Sequence, residues 1–227
     1  MSDDNKEASS RDDLYEVIIQ LRRATCSMTE PMILTVIREF TRDPFIVLVS
    51  CILSLRTKDS VSLSASYRLF RVAKTPHDLL KLSLQEIQKL IYPVGFYRRK
   101  AQQLRAISTN LVEFFDGKVP QIEQELLNLP GVGRKTANLV LGYGFNIPAL
   151  CVDTHVHRVA NRLGWVKTKT AHETEDALKK IIPKKNWIEL NSLLVVWGQN
   201  ICMPRVPSCS VCAIRPWCLR VGVVKSR

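Results

Sequence analysis

Apolar positions along this chain recur at intervals of three and four, the period of an amphipathic helix, and nowhere alternate long enough to specify a strand. Leu14, Val17, Ile18 and Leu21 form the first such stripe, and Ala101, Leu104, Ile107 and Leu111 the clearest one. Helix starts are marked by side chains that can accept from the orphan N–H groups of a first turn. These are Asp43 before Pro44, Thr75 before Pro76, Ser83 with Glu86, Thr170 with Glu173, and Asp59 and Asp153. Residues 45–55 are apolar on nearly every side, which predicts a buried helix too short to span a bilayer. Further helices are predicted from Pro31, from the Tyr92-Pro93-Val94-Gly95 break to about Phe115, over 121–129, from Arg134 to about Gly144, and over 187–200. The fold class that follows is all-α.

Two stretches carry chemistry. Leu129-Pro130-Gly131-Val132-Gly133-Arg134-Lys135 places two glycines between helical segments, a hairpin in which Gly131 and Gly133 can take positive φ. Its backbone N–H groups, with those opening the next helix, make a seat for an anion such as a nucleic-acid phosphate. Taken alone, such a turn is only a turn, Lys135 a solvated lysine, and Asp153 in Val152-Asp153-Thr154-His155 a helix cap. The second stretch is Cys202, Cys209, Cys212 and Cys218, spaced C-x6-C-x2-C-x5-C. Only 209 and 212 form a short pair, where structural zinc sites usually show two, so spacing alone leaves zinc and iron–sulfur equal.

Composition narrows the partner. The net charge is +12, and because residues 1–16 carry six acids and two bases, the rest of the chain stands at +16. That excess favours a polyanion, nucleic acid or an anionic membrane surface. The N-terminus is acidic with no apolar stretch behind it, so no signal peptide is expected. Seven cysteines, four of them clustered, suit a reducing compartment with one metal site better than a disulfide framework. A disordered tail is expected over 1–12, and Phe145-Asn146-Ile147-Pro148 marks a candidate domain boundary.

LPGVGRKTA, then VDTHV, then the four spaced cysteines, in that order, resemble the endonuclease III family of helix-hairpin-helix DNA glycosylases and abasic-site lyases. The likeness runs from about residue 30 to 218. It implies two helical domains with a cleft between them, a six-helix domain over 37–147 and a second built from 13–36 plus 148–227. It also implies removal of oxidised pyrimidines from duplex DNA, with Lys135 as the nucleophile that forms a Schiff base and Asp153 as the carboxylate that stabilises the departing sugar. The amine must be neutral to attack, which calls for burial and neighbouring positive charge. The cysteines would then hold a [4Fe–4S] cluster.

Arg56 falls where the family often has a glutamine that fills the space of the extruded base, and Val94 falls at a position that wedges into the duplex, though core is an equal reading for a valine before glycine. His155 is either cap structure or lining of the lesion pocket. The expected partner is double-stranded DNA with damaged bases or abasic sites, met by a monomer without a membrane, in the cytoplasm with the nucleoid of a prokaryote or in a nucleus. The alternatives are a monofunctional mismatch or alkylated-base glycosylase, against which Lys135 speaks, and a non-catalytic DNA-binding iron–sulfur module.

Overall fold

The computed structural model describes residues 11–227, and its described residues are helical without a strand. The tail expected over 1–12 lies outside them, apart from Arg11 and Asp12, which open the first helix. Among the described residues no helix is long and apolar enough to cross a membrane. The chain divides into two compact units, one of Pro31–Ala149 and one that joins the residues before 31 to Leu150–Arg227.

The middle unit contains α2 (Met32–Glu39), α3 (Pro44–Ser54), α4 (Asp59–Phe70), α5 (Pro76–Lys81), α6 (Leu84–Ile91), α7 (Tyr97–Phe115), α8 (Glu123–Asn128) and α9 (Arg134–Leu139). At its centre is α3, where nine consecutive residues from Phe45 to Leu53 are buried. Its large side chains are each worth about 1.5–3 kcal/mol when fully buried, so this one helix holds its neighbours in place. Asp43 starts it by accepting from Phe45 N and Ile46 N, and Pro44 supplies a first residue with no N–H to satisfy. Ser83 and Glu86 form a complete capping box on α6. Asp59, expected as a cap, is instead the first residue of α4, and its carboxylate accepts from Met32 N at 3.2 Å. The helix expected from Arg134 to Gly144 changes at Val140 into a π turn. There Gly144 lies against Pro44, where an added Cβ would stand 3.0 Å from the proline Cα.

The other unit holds α1 (Arg11–Thr25), α10 (Thr154–Leu163), α11 (Ala171–Ile181), α12 (Trp187–Asn200) and a loop bearing the four cysteines. Leu14, Val17, Ile18 and Leu21 of α1 close its core against Val156, Val159, Leu163, Leu194 and Trp197.

Candidate active site and metal centre

The hairpin between α8 and α9 uses its two glycines differently. Gly131 is left-handed, with φ of 70°, and a Cβ there would stand 2.5 Å from the Gln103 amide nitrogen, which donates to Pro130 O at 3.1 Å. The turn itself requires that glycine. Gly133 has an ordinary φ of −105°, and an added Cβ would meet nothing within 4 Å. Nothing inside the fold asks for glycine at 133. The open ground lies at the N-cap of α9, the end of a helix that favours an anion. Val132, between them, is buried and anchors the hairpin.

Lys135 stands in the first turn of α9 and is exposed, so the burial expected for it is not found. Its charge reaches Cys51 inside α3. Burial pushes that thiol up to about 12, and Lys135 pulls in the opposite direction.

In the other unit, Asp153 is the N-cap of α10, its Oδ1 accepting from His155 N at 2.8 Å and Val156 N at 3.0 Å. His155 is half-buried, with Nδ1 3.1 Å from Arg158 Nη2. The same guanidinium donates to Gly198 O at 2.8 Å and Cys202 O at 3.0 Å. Arg158 thus ties the capped start of α10 to the first cysteine.

Cys202, Cys209, Cys212 and Cys218 all line one pocket, walled by Val159, Leu163, Trp197 and Ile214. Arg162 donates to Cys202 Sγ at 3.3 Å, and Cys218 Sγ donates to Arg162 O at 3.3 Å. The chain beyond Cys218 folds back over this loop, with Val221 N on Arg162 O at 3.1 Å and Arg227 N on Pro207 O at 2.9 Å. Among the described residues no three His, Cys, Asp or Glu side chains converge tightly enough for a single ion. Four sulfurs that line one pocket form a donor set for a metal centre. Burial pushes Cys212 upward and Cys218 to about 11, and neighbouring thiols add to both. Thiolates gathered here need a positive centre, so the donor set fits an iron–sulfur group.

The structure separates Arg56 from Val94. Val94 is 1% exposed and belongs to the core, whereas Phe96, two residues on, is 62% exposed. Arg56 is also exposed and lies beside Phe96, and neither is glycine although both hold left-handed backbones. Phe96 is the residue that pattern reading missed. A large aromatic directly after Val-Gly, with tyrosines at 92 and 97, was the available signal.

A family model for the HhH-GPD superfamily of base excision DNA repair proteins matches residues 49–184. Endonuclease III of Thermotoga maritima is 48% identical over 196 residues, which cover 84% of this chain and 92% of the relative. Among solved structures, a non-covalent endonuclease III–DNA complex superimposes with a TM-score of 0.82 at 31% identity, covering 93% of this chain and 96% of that one. A trapped endonuclease III–DNA covalent intermediate, an estranged-adenine complex, gives 0.81 at 32% identity over 93% and 97% of the two chains. With its hairpin, capped aspartate and cysteine loop in these places, the chain belongs to the endonuclease III family of HhH-GPD base excision DNA repair glycosylases.

Proposed function

We propose that this glycosylase is bifunctional, removing oxidised pyrimidines from duplex DNA and then cleaving the strand at the abasic site. The observation that carries the reading is Lys135, an exposed amine on the first turn of α9, directly after the open ground at Gly133. A phosphate gripped by the hairpin donors sets the DNA backbone beside that amine without reading sequence. The target nucleotide must leave the stack before its C1′ can be reached. Phe96 enters the duplex as the apolar wedge, and Arg56 takes the vacated space opposite the estranged base.

Lys135 Nζ, in its neutral form, bonds to C1′ as the glycosidic C1′–N bond breaks, and the base leaves with the bonding pair and takes up a proton. The aminal nitrogen then pushes its lone pair to C1′ as the C1′–O4′ bond breaks and O4′ takes up a proton, giving a protonated Schiff base. This acidifies the C2′ proton, so that its loss expels the 3′ phosphate by β-elimination. Asp153 supplies negative charge while the sugar is cation-like. Its cap bonds fix the carboxylate at the start of α10, so it is oriented before substrate arrives. Cys202, Cys209, Cys212 and Cys218 would hold a [4Fe–4S] cluster, whose contribution when bound is to stiffen the loop that bears Arg205 and Arg215. The likeness to a trapped covalent intermediate supports the lysine mechanism.

Borohydride tests it. Reduction should freeze a covalent enzyme–DNA adduct in the wild type, and Lys135→Gln should lose the adduct and strand cleavage while still binding lesion DNA. An undiminished adduct in Lys135→Gln would assign the nucleophile elsewhere.

A further inference from the structure

Lys100 is a charged residue where the α7 stripe calls for an apolar one. It lies on the face of Ala101, Leu104, Ile107 and Leu111 and is only 5% exposed. Burying an ammonium is costly, and a methionine would fill the same volume without that cost. Its three donors are all used. Lys100 Nζ donates to Leu53 O at 2.9 Å, to Leu55 O at 2.5 Å and to Thr57 Oγ1 at 3.0 Å. Thr57 Oγ1 in turn accepts from Gly95 N at 3.2 Å.

The two segments joined in this way are those that present Arg56 and Phe96. They touch backbone to backbone, since a Cβ on Gly95 would stand 2.7 Å from Arg56 O. Arg56 and Phe96 are left-handed without being glycine, a conformation that persists only where surrounding bonds impose it. Arg68 also grips this region, through Leu90 O and Tyr92 O, but it reaches only the second segment. Lys100 alone among these donors reaches both, directly at 53–57 and through Thr57 at 95. Burial pulls its ammonium down to about 8, so the charge is still present at neutral pH.

We infer that Lys100 is a positioning residue for DNA engagement, its buried ammonium tying the Arg56 segment to the Phe96 segment and thereby setting the spacing of the two side chains that enter the duplex. The inference rests on the proposed reading of Arg56 and Phe96 as duplex contacts.

A double-mutant cycle on the full-length protein separates positioning from simple support of the fold. The readout is the single-turnover rate of base removal from a duplex with one oxidised pyrimidine, with thermal unfolding followed in parallel. Lys100→Met should slow base removal by about tenfold or more in the wild-type background, and by less than about twofold where Arg56→Ala and Phe96→Ala are already present. An equal loss in both backgrounds, or none in the wild type, overturns the positioning role. If the Arg56→Ala/Phe96→Ala protein were itself unimpaired, the duplex reading would fall and this role with it. If that protein were impaired and Lys100→Met were not, only the role of Lys100 would fall. Should Lys100→Met not fold, Thr57→Val cuts the tie to Gly95 and goes through the same cycle, with the same coupling expected.

Discussion

The Arg56 guanidinium carbon stands 6.0 Å from the centre of the Phe96 ring. The two side chains come from different segments of the middle unit and meet at its surface, the cation near an aromatic face. A pair arranged before DNA arrives loses less side-chain freedom on binding than two independent residues would.

Arg56→Gln should therefore change activity according to the base opposite the lesion, while cleavage of a preformed abasic site stays nearly intact. Rates against duplexes with each of the four opposite bases check it. Equal effects on all four would remove Arg56 from the vacated space.

The two hairpin glycines should behave in opposite ways. Gly131→Ala forces a left-handed alanine into Gln103 and should cost stability of about 1–3 kcal/mol. Gly133→Ala adds a methyl group to open space, and its weaker capping is offset by reduced freedom of the unfolded chain, so stability should stay within about 0.5 kcal/mol. Its loss should appear in affinity for undamaged duplex, measured at fixed salt because phosphate contacts are salt-dependent.

Asp153→Asn separates cap from charge. Asparagine caps a helix about as well as aspartate, so the melting temperature should hold. Base removal should fall by about 10²- to 10³-fold, the scale of one lost electrostatic stabiliser. A preformed abasic site, from which no base departs, should suffer less.

Protein purified without oxygen should contain about four irons and four inorganic sulfides per chain. Cys212→Ser should lower both, together with soluble yield or DNA affinity. Stoichiometric zinc without sulfide contradicts the cluster.

Lys100 gives stability a pH dependence of known sign. Its proton affinity is lower in the folded protein, about 8, than the ordinary 10.5. Between these values the unfolded chain binds more protons, so raising pH through this window stabilises the fold. Urea midpoints of the wild type should rise relative to Lys100→Met from about pH 8 upward. A constant difference would falsify the assignment.

Local chemistry was legible in the sequence. Asp43, Thr75, Ser83 and Asp153 cap helices through atoms two or three residues away, and such bonds can be read from spacing. The endonuclease III motifs were equally plain, because hairpin and cysteine spacing are short-range patterns. Long-range packing was not. Lys100, in the basic run Arg98-Arg99-Lys100, is buried on partners 43 to 47 residues away. Val94 is buried and Phe96 exposed, because a turn decides which side chain faces inward.

The unit that contains the cysteines is assembled from both ends of the chain, with α1 completing a core otherwise made of residues 150 and beyond. On the ribosome α1 is therefore made well before its partners. While residues 26–197 emerge at about 5–20 per second, the face bearing Leu14, Val17, Ile18 and Leu21 stays uncovered for roughly 10–30 seconds. The middle unit has all its helices before α10 exists, so it can close during synthesis. The apolar stripe of α1 is then a candidate chaperone site, and it disappears only when Trp197 arrives to cover it.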